Sequence, residues 1–225
     1  MTSTWIRTLA LGALVFGLAA CGDTSSTATP PEPAPTAEPV LSEAEKAEQQ
    51  QAMVRAEADA VRALVDRLFS DLSNQNFSAA ANQFHFDPSY SSEARLLEET
   101  KVATLFWAMH EKLGGIEDTK PLPRGAPELQ TFGLQVRANP EAYWKEFEPD
   151  ASARTVMLAK FENAENPAQI ALDLTRDSTG WKVTEFDLGL PTEQPGAEDT
   201  LRGIAELAGE RLGSSGVSTV PGDAS

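Results

Sequence analysis

Between Leu41 and Leu190 the spacing of apolar positions changes from three-and-four to two. Val54, Ala58, Val61, Val65, Leu68 and Leu72 recur at helical spacing, with Leu64 and Phe69 beside them, and predict one long first helix. Ser42 stands at its N-cap, and Glu45, three positions on, completes a capping box. The opening "EAEKAEQQQ" is polar on every side, so this helix is expected to protrude at its start and to pack from Val54 to Leu72. A short second helix follows "SNQN", with Phe77, Ala80, Ala81 and Phe84 on one face, and ends before Pro88. The third runs from Ser92 to Leu113 with Leu96, Leu97, Leu105, Phe106, Met109 and Leu113 as its apolar face, and Gly114-Gly115 stops it.

After "PLPRGAP" the period becomes two. Phe132, Leu134 and Val136 alternate with polar residues, as do Val156 and Leu158, Ile170, Leu172 and Leu174, and Trp181 and Val183. Asn163 to Pro167 and Asp177 to Gly180 are turn material between neighbouring strands. Helices first and an antiparallel sheet after them predict an α+β domain over residues 42–190, with the helices on one face of the sheet. The tail, 191–225, opens with a "PTEQPG" loop and carries a short helix over 197–212. Leu201, Ile204 and Leu207 share a face of that helix and are expected to dock on the domain. The last residues are expected to be disordered.

The amino-terminal pattern is of another kind. One positive side chain, Arg7, precedes the uncharged run "LALGALVFGLAA", and the chain's single cysteine follows at Cys21. The run is about a dozen residues, short of the roughly 20 that cross a bilayer as a helix, so residues 1–20 are expected to be a cleaved signal peptide. One cysteine cannot form an internal disulfide. From Asp23 to Val40 the chain is Ser, Thr, Ala, Glu and five prolines, which predicts an extended linker over 21–41. At ~3.1 Å per residue in polyproline II conformation, such a linker reaches on the order of 50 Å.

Leu18-Ala19-Ala20-Cys21 resembles, position by position, the lipobox of bacterial lipoproteins. The resemblance implies that Cys21 is acylated, by palmitate or a similar chain on its sulfur, that the signal is cut before it, and that the new amino terminus is acylated too. Two or more chains give stable anchoring, at about 0.8 kcal/mol per buried CH₂. Gly22, rather than Asp, after the cysteine implies the outer membrane, facing the periplasm, by the sorting rule of enteric bacteria. The partner expected first is therefore the lipid bilayer, reached through Cys21.

The long helix ending near Leu72, the compact "NQNFSAAANQF" helix and the closing "DSTGWKVTEFDL" resemble the nuclear transport factor 2-like superfamily. That resemblance implies a curved sheet wrapped around the first helix as a cone; a cystatin-like sheet on a helix is the alternative. The superfamily includes ketosteroid isomerase, in which acidic groups work in an apolar cavity. By that analogy His85 with Asp87, His110 with Glu111, Tyr90, Tyr143 and Asp173 are the residues to examine. Simpler readings stand beside each. His85 lies between Phe84 and Phe86 as a half-buried helix-end residue, His110 at the edge of a packed face, and Asp173 is turned to water by the alternation.

Charge narrows the choice of partner. The whole chain carries 18 basic and 34 acidic residues; loss of residues 1–20 removes Arg7 and no acid, leaving a mature net charge of −17. Such a surface repels phosphate backbones, so no nucleic acid partner is expected. Two distant histidines give no zinc spacing, and there is no phosphate loop, nucleophile elbow or calcium loop; no metal, cofactor or catalytic residue is assigned. The expected role is a non-catalytic envelope module that binds a protein partner or a small apolar ligand. An assembly accessory of an envelope complex, then an isomerase-type cavity enzyme, are the alternatives.

Overall fold

A computed structural model describes residues 42–214 apart from 124 and 128. The signal peptide, Cys21, the linker and the last eleven residues expected to be disordered lie outside the described residues. The order is α1 (Glu43–Ser73), α2 (Phe77–Ala81), α3 (Ser92–Leu113), β1 (Ile116–Pro121), β2 (Thr131–Arg137), α4 (Glu141–Glu146), β3 (Ala151–Phe161), β4 (Ala168–Asp177), β5 (Gly180–Pro191) and α5 (Ala197–Ser214). Among the described residues, five helices and one five-stranded antiparallel sheet make this an α+β fold.

The sheet runs β1-β3-β4-β5-β2. The two turns expected from Asn163 to Pro167 and Asp177 to Gly180 close the β3–β4 and β4–β5 hairpins, and the five strands pair antiparallel. β1 and β2, neighbours in sequence, sit on opposite edges. β2 covers β5 only from Glu185 onward. The remaining edge of β5 is met by the chain after α2, where Val183 donates to the Gln83 carbonyl at 2.9 Å and the His85 amide donates to the Val183 carbonyl at 2.8 Å. A register shift between Asp173 and Leu174 then returns Phe186, Leu188 and Leu190 to the buried side.

Burial of α1 begins later than its spacing predicts. Residues 43–56 are exposed, Val54 at 64%, and the buried positions are Leu64, Val65, Leu68, Phe69 and Leu72. The exposed part is rich in Ala, Glu, Gln and Lys, which hold a helix without packing. Glu57 marks the change: its carboxylate accepts from the indole Nε1–H of Trp181 at 2.7 Å and pairs with Arg176, pinning α1 to the β4–β5 hairpin.

α3 also differs from expectation. Ser91 caps it by accepting from the Ala94 amide at 3.1 Å, and Gly114, at φ 76°, ends it. Its buried face is Val102, Phe106, Ala108, Met109 and Leu113, whereas Leu96 and Leu97 are exposed. The first two turns of α3 extend past the core. In β3 the buried positions are Met157, Ala159 and Phe161, so Val156 and Leu158 occupy the other, half-buried face. β1 and α4 have no counterpart in the expected elements. α5 forms where a tail helix was expected and buries Ala197, Leu201, Ile204 and Ala208, with the Arg211 guanidinium 3.9 Å above the Trp107 ring of α3. It is an integral layer of the core.

Candidate functional site

Phe84 and His85 are consecutive in an extended segment, so their side chains leave on opposite sides. Phe84 enters the core, where its ring meets Phe106 at 5.9 Å and Phe106 meets Phe186 at 5.1 Å. His85 faces α4. It is 3% exposed, well beyond the half-burial expected of it, and both ring nitrogens are engaged: Nδ1 lies 3.1 Å from Oδ2 of Asp177 and Nε2 lies 2.6 Å from the Tyr143 hydroxyl.

The directions of these bonds follow from the partners. Burial alone pushes the Asp177 carboxyl up, but hydrogen bonds from the Thr179 hydroxyl and amide and from His85 outweigh it and hold the carboxyl below its ordinary range. Asp177 therefore accepts, and Nδ1–H donates to it. Burial first, then the charges of Asp87 and Asp177, push the Tyr143 phenol up to about 12. Tyr143 thus keeps its proton and donates it to Nε2, so that one chain of bonds, Tyr143 to His85 to Asp177, is fully satisfied.

Local sequence explains how six residues of α4 reach this position. Pro140 stands at the N-cap of α4, and Asn139 before it has φ 71°, a conformation asparagine tolerates. The Asn139 side chain donates to the His85 carbonyl at 3.0 Å and accepts from the Asp87 amide at 2.9 Å, stitching the two segments together. Trp144 donates its indole Nε1–H to the Ala138 carbonyl at 3.0 Å. Phe147 lies 4.7 Å from the His85 ring and 5.3 Å from Tyr143, stacked on the latter. α4 buries no residue of its own and is held by these side chains.

Two open grooves flank the cluster and share Phe147. One, of about 310 Å³, is walled by Trp144, Phe147, Pro149, Ala153 and Leu174, with the Arg154–Asp173 pair at its rim. The other, of about 400 Å³, lies between Asp87, Pro140, Tyr143, Phe147, Glu146 and Glu148.

Of the residues singled out from sequence, His85 and Tyr143 come together, but the partner of His85 is Asp177 and not Asp87. Asp87 is occupied by its own turn, accepting from the Ser89 amide at 2.7 Å. Tyr90 is half-buried; burial, then Glu98 and Asp87, raise its phenol. His110 sits half-buried against Phe77 at 5.8 Å while Glu111 points to solvent. Asp173 pairs with Arg154 at 2.9 Å on the face the alternation assigns to it. Asp177 lies 92 positions from His85 in a segment read only as a turn. The one available signal is that "DSTG" places an acid beside the Trp181 strand that the histidine segment borders.

Among the described residues no group of three or more His, Cys, Asp or Glu side chains could hold a metal ion. Among them, too, no helix is long and apolar enough to cross a membrane. Compared with known protein families, curated proteins and solved structures, the chain gives no match.

Proposed function

We propose that the chain is a lipid-anchored module of the bacterial envelope that binds a partner through the α4 face without catalysing a reaction. The observation that carries this reading is the contrast between a filled interior and an open, aromatic exterior. Phe84, Phe106 and Phe186 pack together in the interior, each at most 1% exposed. The two grooves beside α4 open to solvent instead, at the low end of the roughly 300–1,000 Å³ typical of ligand sites.

The finer fold we propose is nuclear transport factor 2-like. A long α1, a compact α2 and α3 ahead of an antiparallel sheet support it, as does the Gly180-Trp181-Lys182-Val183 start of the last strand. The isomerase-type alternative draws on Tyr143, a protonated phenol next to a histidine. Its hydroxyl, however, is spent on His85, which leaves that donor to hold α4 in place.

Anchoring rests on the lipobox of Cys21. Cys21→Ser is expected to release the protein from membranes into the periplasmic fraction; retention after a high-salt wash would overturn the lipid anchor. Binding is tested by placing a photo-activated cross-linker at Ala142, on the exposed side of α4, and at Ala63 on exposed α1. Adducts from position 142 alone are expected, and equal labelling from both positions would remove the α4 face from the proposal.

A further inference from the structure

We infer that the partner presents a basic segment: a Lys or Arg side chain entering the groove between Asp87, Glu146 and Glu148 against Phe147, with an apolar neighbour filling the groove of Trp144, Pro149 and Leu174. This rests on the binding-module reading and names the chemistry of its partner.

The first argument is charge complementarity. On the strands, Asp173 pairs with Arg154, Glu185 with Arg137 and Glu117 with Lys160. Around α4, Asp87, Glu146 and Glu148 pair with no Lys or Arg among the described residues, and the α4 lysine, Lys145, is drawn to Glu141 at 3.5 Å. Three uncompensated carboxylates thus surround an apolar floor of Pro140, Ala142 and Phe147.

The second argument is the shape of that floor. Tyr143 and Phe147 are stacked at an interplanar angle of 24°, and both line the groove. An aromatic ring beside carboxylates favours a cation with a long aliphatic stem, which gains the ring quadrupole, the charge and the apolar contact together. Because Phe147 also lines the neighbouring groove, one ring serves adjacent side chains of one segment.

The third argument excludes the chain's own ends. Residues 22–41 and 215–225 contain Asp23, Glu32, Glu38 and Asp223 and not one Lys or Arg. Neither of these flanking segments supplies the cation.

The test uses the protein as produced from the whole chain, in zwitterionic detergent micelles. Three capped hexapeptides are titrated by calorimetry at low and at moderate salt: one alternating Lys with Leu and Phe, its twin with Glu for Lys, and its twin with Ser for Lys. The basic peptide is expected to bind, more weakly as salt rises, and the acidic twin not to bind. Glu146→Gln/Glu148→Gln, two exposed positions, is expected to weaken binding roughly three- to thirtyfold. Phe147→Leu is expected to weaken it roughly two- to fivefold. The remote pair Asp66→Asn/Glu206→Gln, on α1 and α5, should leave it unchanged. Equal weakening by the remote pair would overturn the groove in favour of general attraction to an acidic surface. If the Ser peptide binds as tightly as the basic one and loses affinity with Phe147→Leu, the basic partner is wrong while the binding module stands. Failure of all three peptides together with no cross-link from position 142 would overturn both.

Discussion

Two aromatic clusters stand on opposite sides of the segment that carries Phe84 and His85, and they are built to different rules. The inner one is apolar throughout: Phe84, Phe106 and Phe186 make edge contacts at 5.1 to 5.9 Å and are sealed from water. The outer one gives each polar ring a hydrogen-bonded handle, with His85 on Asp177 and Tyr143, and Trp144 on a carbonyl, while Phe147 remains half open. Inner rings gain from area removed from water. Outer rings gain from partners that fix their direction, and direction is what a recognition surface requires. The difference teaches that the aromatic content of this domain serves two purposes, divided at a single peptide bond.

The largest effect that could break this division is on stability. Phe106→Ala, which empties a fully buried site, is expected to cost on the order of 3–5 kcal/mol. Phe147→Ala, at a half-buried site, should cost about 0.5–1.5 kcal/mol, the worth of its ring contacts. Urea unfolding of both variants measures the ratio. Equal losses would make the α4 cluster a second core and remove the reason to read it as a surface.

The next effect sharpens where the core begins. Leu68→Ala should cost about 2–5 kcal/mol and Val54→Ala no more than about 0.5 kcal/mol, because Leu68 is fully buried and Val54 is 64% exposed. Should Val54→Ala prove as costly as Leu68→Ala, the exposed part of α1 is covered by something in solution.

What could be read in the chain before its structure follows the same line between packing and recognition. Long periodic segments were legible: α1, α3, the β3–β4–β5 meander and the tail helix all declare a period and a stop. Their ends of burial were not, since Val54, Leu96 and Leu97 keep helical spacing yet are exposed. β1 was missed because "IEDTKP" is an edge strand, paired on one side to β3 and polar at most positions, a composition that protects an edge and erases the alternation. α4 was missed because six residues are too few to show a period. Half of the candidate site was visible as residue types, His85 and Tyr143. Its third member was not: Asp177 lies 92 positions from His85 and is joined to it only by the β4–β5 hairpin, a relation that tertiary pairing creates.

The last effect isolates the bond that holds α4, and it is read as a dependence on pH. Tyr143→Phe leaves the ring in place but removes the donor to a buried His85 nitrogen, at an expected cost of about 1–3 kcal/mol near neutrality. In the folded protein the Tyr143 phenol is pushed up to about 12 from the ordinary 10.0, first by burial. The folded state then retains a proton that the unfolded chain gives up, so the stability linked to Tyr143 is fully present below about pH 10 and falls as pH rises towards about 12. Phe has nothing to titrate there. The chain has two tyrosines, and Tyr90, whose phenol is also raised, titrates alike in both proteins. The gap in unfolding free energy between wild type and Tyr143→Phe should therefore narrow between pH 10 and 12. At the acid end the sign reverses: Asp177 is held low, so its contribution is present above the ordinary Asp value near 3.9 and is lost as pH falls below it. A gap that stays constant across the alkaline window would mean that the Tyr143 hydroxyl is free in solution, and α4 would then be held by its stacked rings alone.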